Sequence, residues 1–340
     1  MHQKKLGGRC KPALFEELGL LGNMLVLVAS LLALDKASDL TITNSVRIAD
    51  MAGYGKTTMG FILVAFCTSL SALAVSVFSA MRQENIGVAV GNALGSTVVN
   101  ICLILGISLI LVALKKSDVV KVLPTMAKEE VGSLYFGLFM SSIIPLTLIY
   151  IGYASRLIGI LLLVIFAIYV FQLLRIRSVK RETSLDGEKK KLGRYTSLTF
   201  VCAAVVVALS YLILESASYL AVSLGIKHEV IGATVVAFGT SVPILMAALR
   251  SVYRGHVDLA LGNIVGTCFM NTTCILGATL VVSPLRVDMA AFTNLVMFSV
   301  ISNLFLWYFL SSEKAGWREG AVLLFMYSIF LVITIGGYRA

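Results

Sequence analysis

The chain has 340 residues, of which 58% are apolar and only 14% charged, with a mean hydropathy of +0.93. An ordinary soluble domain carries about 45–50% apolar and about 25% charged residues, so this composition excludes a cytosolic enzyme, a disordered chain and a collagen-like one. The net charge of +10 does not point to nucleic acid as a partner, because most Lys and Arg lie between apolar runs, where membrane topology accounts for them.

Apolar runs long enough to cross a bilayer as a helix, ~20 residues each, recur along the chain. Runs such as 143–150 and 158–174 do not alternate, which excludes the ~10-residue pattern of an outer-membrane barrel. In order, the runs predict ten spans at about 19–46, 57–81, 86–113, 130–152, 156–174, 197–222, 229–253, 257–283, 288–311 and 317–337. Lys4, Lys5, Arg9 and Lys11 precede the first run, which continues into a full span rather than ending as a cleavable leader. The expected fold class is an all-α polytopic membrane protein. One polar segment, 175–196, contains Glu188-Lys189-Lys190-Lys191 and separates two halves of five spans, 1–174 and 197–340.

Lys and Arg are distributed unequally between the two faces. The face carrying the linker has 18 of them and the other face nine, with Lys36 falling inside the first span. The bias places the linker in the cytoplasm and both termini outside a cell membrane. Of the six cysteines, five lie in apolar stretches and none forms a CxxC pair, so they read as small buried hydrophobes. His2, His228 and His256 fall at span ends or in loops, away from any metal-ligand spacing.

The halves repeat one another. Residues 65–69 read Ala-Phe-Cys-Thr-Ser and 237–241 read Ala-Phe-Gly-Thr-Ser; residues 91–106 and 262–277 share seven of sixteen positions. The coincidences fall on Gly, Asn, Thr and Ser, which apolar composition does not produce by chance. Each half has an odd number of spans, so the second half enters the membrane upside down. Inverted repeats of this kind mark secondary transporters, with the substrate held where the repeats meet. Spans two, three, seven and eight carry the matched polar residues and are expected to form the core.

In hydrocarbon a mid-span polar cluster must face a cavity or another helix. Thr68, Ser69, Asn92, Ser96 and Asn100 form one such cluster; Thr240, Ser241, Asn263, Thr267 and Asn271 form its mate. Ser96 and Asn100 share a helix face, as do Thr267 and Asn271. Gly91, Gly95, Gly262 and Gly266 permit close helix approach or local unwinding, and Pro243 is expected to open the turn after Thr240-Ser241. The outcome is two matched sets of hydroxyl, amide and carbonyl oxygens, donors that suit hard cations.

These residues resemble the cation/calcium exchanger superfamily, whose members include sodium/calcium and calcium/proton exchangers. Its pattern pairs GTS-x-P-E on one helix with GN-x-x-GS-x-x-x-N/D on the next, in both repeats. The resemblance implies a cation antiporter working by alternating access, with no cofactor beyond the transported ions. It also implies that Thr68, Ser69, Ser96, Asn100, Thr240, Ser241, Thr267 and Asn271 occupy the ion-coordinating positions. The acidic position four residues after the motif Thr holds Ala72 in the first repeat and Ile244 in the second; Cys67 and Ser71 stand where the first-repeat motif has Gly and Pro.

That loss bears on the cargo. The Born cost of burying even a single charge is of order 20 kcal/mol before relaxation, and calcium sites normally use carboxylates among 6–8 oxygens. A neutral cage suits a monovalent ion, so sodium or potassium is expected rather than calcium. Other acids within spans are Asp35 and Asp39 on the first and Glu215 on the sixth; Asp35 next to Lys36 reads as a local ion pair. A regulatory or scaffolding relative that does not transport is the alternative reading. An intramembrane enzyme lacks any His within a span to act as base or ligand.

Overall fold

The computed structural model describes residues 17–52, 65–81, 86–115, 120–121, 128–175, 228–253, 257–283, 287–289, 292–311 and 314–336, with parts of 197–223. The polar linker beyond Arg175, and His2 and His256, lie outside the described residues. The helices are α1 (Gly19–Ala52), α2 (Ala65–Met81), α3 (Ile86–Val98, a wide turn Val99–Leu105, then Gly106–Lys115), α4 (Lys128–Ile151) and α5 (Arg156–Arg175). Every described residue within 197–223 is helical, and this span is α6. The second half continues with α7 (His228–Ile231, a wide turn Gly232–Val236, then Ala237–Tyr253) and α8 (Val257–Met270, a wide turn Asn271–Ile275, then Leu276–Val282). It ends with α9 (Thr293–Ser311) and α10 (Trp317–Gly336).

Two short ribbons reveal the symmetry of the halves. β1 (Val120–Lys121), after α3, pairs antiparallel with β4 (Lys314–Ala315), after α9; β2 (Tyr153–Ala154), after α4, pairs with β3 (Val287–Asp288), after α8. The ends of α3 and α9 therefore share one face, and the ends of α4 and α8 share the other. Helices alternate in direction, so α3 and its repeat mate α8 run oppositely, as inverted repeats require. Gly152, which ends α4 with φ of 83°, adopts the left-handed turn open to glycine; its amide donates to the carbonyls of Leu148 and Ile149.

Helices α2, α3, α7 and α8 pack together at the centre, α2 on α3 and α8, α7 on α3 and α8. Burial follows that order: 89% of the most apolar window of α8 is enclosed, against 22% of α10, whose exposed Phe325, Val332 and Ile335 suit lipid. Close packing between spans relies on glycine, since lipid tails give apolar helices no reason to associate. A Cβ on Gly106 would lie 3.1 Å from the Gly320 carbonyl oxygen, and one on Gly159 would lie 2.8 Å from that of Gly277. These two crossings, α3 on α10 and α8 on α5, are repeat mates of each other.

Candidate functional site

The matched clusters meet across the pseudo-twofold. Thr240 on α7 donates to the Asn92 amide oxygen on α3 at 3.0 Å, and Thr68 on α2 donates to the Asn263 amide oxygen on α8 at 3.4 Å. Each half thus supplies the hydroxyl and the other half supplies the amide. Ser71, at the place of Pro243 in the second repeat, donates to the Thr240 carbonyl at 3.4 Å. The packing that permits these contacts comes from Gly91 and Gly95: a Cβ on either would fall 2.6 Å and 2.5 Å from the carbonyl oxygens of Glu229 and Ala233 on α7. Gly262 and Gly266 are buried at the matching turns of α8.

The eight expected cation ligands are all buried, and they divide into two groups. Thr68, Thr240, Ser96 and Thr267 have hydrogen bonds: the two motif threonines lock the halves, Ser96 donates to Asn92 Oδ1 at 3.3 Å, and Thr267 donates to the Asn263 backbone carbonyl at 2.7 Å. Ser69 Oγ, Ser241 Oγ and both amide atoms of Asn100 and Asn271 are buried without a hydrogen bond of ordinary geometry, the Cys268 thiol lying beside Asn100. Burying an amide or hydroxyl unmatched costs about 2–7 kcal/mol, so four such residues in repeat-matched pairs are a costly arrangement unless a ligand completes them.

Local backbone geometry presents these groups. Asn100 lies in the wide turn of α3 and Asn271 opens that of α8. Wide turns inside α-helices recur at functional sites because the extra residue loosens the backbone ladder. The turn bearing Asn100 packs on the α7 segment that carries Ser241, and the turn bearing Asn271 packs on α2, which carries Ser69.

One expectation changes in the structure, and others become specific. Pro243 does not open its turn: α7 stays α-helical through it, and the wide turn lies earlier, at Gly232–Val236. A proline removes only the amide that would serve the carbonyl four residues back, a loss that the surrounding helices tolerate. Gly91 and Gly95 lie within regular helix and act through close approach, while the unwinding falls on the asparagines. Asp39 pairs with Arg250 at the end of α7; the side chain of Asp35 lies outside the described residues.

The positions four residues after Thr68 and Thr240 are filled by apolar packing. Ala72 and Ile244 are 3% and 1% exposed and belong to the main hydrophobic core. Among the described residues no three His, Cys, Asp or Glu side chains gather in metal-holding geometry. Ser76 is a site residue that the motifs do not mark. Its hydroxyl accepts from Asn92 Nδ2 at 3.0 Å, and the only sequence signal for it is a small polar residue one turn after Ala72. Asn44 and Ser216 are a further matched pair, 172 residues apart, each buried with an unpartnered polar atom.

The family model described as "Sodium/calcium exchanger protein" matches residues 22–175 and 195–336. Relatives include the sodium/calcium exchanger MaX1 of Methanosarcina acetivorans, 30% identical over 92% of this chain and 98% of that protein. The inner membrane protein YrbG of Escherichia coli is 29% identical over 85% of this chain and 89% of its own. A solved structure of the sodium-calcium exchanger NCX_Mj superposes with a TM-score of 0.69 at 26% identity, covering 91% of this chain and 98% of that one. With both repeats matched and the inverted bundle shared, the chain is an integral membrane protein that belongs to the sodium/calcium exchanger family, a family of transporters rather than enzymes.

Proposed function

We propose that this chain is a cation antiporter that alternates access to a midplane cage of neutral oxygens and favours monovalent ions over calcium. One observation carries the reading: Ser69, Asn100, Ser241 and Asn271 are buried, matched across the repeats and unsatisfied, while Ala72 and Ile244 fill the acidic positions. Amide and hydroxyl oxygens replace the hydration of a singly charged ion. A divalent ion loses far more hydration energy and needs carboxylates to offset it. The locked pairs Thr240–Asn92 and Thr68–Asn263 hold the repeats in register around the cage.

In this reading halves 1–174 and 197–340 sit in a cell membrane, with linker 175–196 in the cytoplasm and both termini outside. The partners are the bilayer and the transported sodium or potassium; no cofactor takes part. Flux into proteoliposomes with radiolabelled sodium, rubidium as a potassium tracer, and calcium tests it. Sodium or rubidium exchange without calcium uptake is expected, and fast sodium-driven calcium uptake overturns the selectivity. A chain moving no ion, its thermal stability indifferent to ion replacement, would be the non-transporting relative.

A further inference from the structure

The same helix crossing is fastened differently in the two halves. Helix α2 (Ala65–Met81) and the main part of α7 (Ala237–Tyr253) begin and end 172 residues apart, and Asn44 with Ser216 carries that offset into α1 and α6. At this offset Asp39 of α1 matches Tyr211 of α6, and Arg250 of α7 matches Phe78 of α2. The structure joins both pairs. Asp39 and Arg250 form an ion pair between α1 and α7. Phe78 and Tyr211 stand edge to face between α2 and α6, ring centroids 5.8 Å apart and planes at 88°. Each contact links the two halves, and inversion puts them on opposite faces. Arg250 lies in the last turn of α7, at the linker face, and Phe78 in the last turn of α2, at the other.

The two contacts bracket the cage. Arg250 follows Ser241 by nine residues and Phe78 follows Ser69 by nine, about 14 Å along a helix at ~1.5 Å per residue. They therefore stand at equal depth on either side of it. Both are made at once, and Ser69, Asn100, Ser241 and Asn271 between them are at most 1% exposed, so the structure is closed on both faces. Helices α1 and α6 form the cover on this flank. Leu34 and Ile213 meet in one buried cluster against which Leu70 of α2 packs, and a Cβ on Gly239 of α7 would collide with Leu31. The ends of α3, α4, α8 and α9 are stapled by the two ribbons, and neither ribbon includes α1 or α6. A mouth that opens along α1 at the linker face parts the ion pair; one that opens along α6 at the other face parts the rings.

Resting on the alternating access proposed above, we infer that these contacts are latches of unlike chemistry: Asp39–Arg250 closes the linker face and Phe78–Tyr211 the face away from it, so that ionic strength controls opening on the linker face alone. Arg250 is 42% and Asp39 28% exposed, so salt reaches the pair, and screening shortens from ~10 Å at 0.1 M to ~3 Å at 1 M. An ion pair this exposed contributes little and is easily parted. The rings carry no charge to screen. Phe78 is also held by the buried cluster of Val75, Val88, Ala217, Ile231 and Val236 against which it packs. The linker face is thus the more readily opened, and the one a change in salt regulates.

The chain carries its own reporter, the Cys268 thiol, fully buried beside Asn100. A small membrane-impermeant thiol reagent is applied to right-side-out and to inverted vesicles, and labelling of Cys268 is followed by peptide mass spectrometry. Asp39→Asn should raise the rate from the linker face about two- to fivefold and leave the other face unchanged. Salt at 1 M should do the same to the parent chain and nothing further to Asp39→Asn; that difference cancels any effect of salt on the reagent. The charge swap Asp39→Arg/Arg250→Asp should return the parent rate. Phe78→Ala should raise the rate about tenfold from the face away from the linker, independently of salt. The salt comparison needs no change at Phe78, so it decides the claim by itself. Equal responses on both faces, or a salt effect that persists in Asp39→Asn, overturn the latches and leave alternating access standing. Labelling of Cys268 from fewer than two faces in every variant overturns alternating access itself, and the latches with it.

Discussion

Asn92 and Asn263 occupy the same place in the two halves, yet only one is satisfied. Asn92 uses its full hydrogen-bonding capacity: Oδ1 accepts from Thr240 and Ser96, and Nδ2 donates to the Ala72 carbonyl and to Ser76. Among the described residues, Asn263 Oδ1 accepts from Thr68 alone, at 3.4 Å, and Nδ2 is buried with no partner. The cause is two small substitutions between the repeats. Ala248 stands where the first half has Ser76, and Thr267, the counterpart of Ser96, turns its hydroxyl to the backbone. Duplicated architecture therefore does not imply duplicated energetics. The first half is the firmer frame, and the second keeps polar capacity in reserve.

The comparison is broken or sharpened by substitution, starting with the largest effect. Asn100→Leu and Asn271→Leu remove cage oxygens that support no hydrogen bond of their own. Each should lower cation flux by at least about 100-fold, roughly 3 kcal/mol, while leaving thermal stability unchanged or higher; replacing an unmatched buried polar group by an apolar one is close to neutral. Undiminished flux in both variants would show that the site lies elsewhere. Asn92→Leu should instead destabilise by about 3 kcal/mol, since several buried groups lose partners together. Asn263→Leu should cost less than about 1 kcal/mol. Equal losses in reversible unfolding would erase the distinction between the halves.

Gly95→Ala forces a methyl group against the Ala233 carbonyl at 2.5 Å. It should destabilise by about 1–3 kcal/mol and lengthen the Thr240–Asn92 bond, measurable as a lower unfolding temperature. The smallest effect is the most specific. Ala248→Ser restores the acceptor that Ser76 provides in the first half, and should stabilise by about 1 kcal/mol if Asn263 Nδ2 takes it. No gain in unfolding temperature, or the same gain when Asn263 is already leucine, would refute that pairing.

Much of the architecture was legible in the sequence because hydrophobic run length and odd span parity are strong constraints in a bilayer. Spans read at 86–113 and 257–283 correspond to α3 and α8 within a few residues. The first span extends to Ala52 rather than 46. The candidate ligands were legible as types and spacings, but their division into locking and unsatisfied groups was not. Nothing in Thr68 or Ser69 alone says which hydroxyl meets an amide 195 residues away. The wide turns at Asn100 and Asn271 were missed because neither segment, Val99–Leu105 or Asn271–Ile275, contains a proline or glycine. Pro243, a usual breaker, drew the expectation to the wrong turn.

The most direct test of the neutral cage is anomalous diffraction from crystals soaked separately in rubidium and in strontium. A rubidium peak bounded by Ser69, Asn100, Ser241 and Asn271, with no strontium peak there, is the predicted result. A strontium peak at that position, or rubidium only outside those four residues, would contradict it.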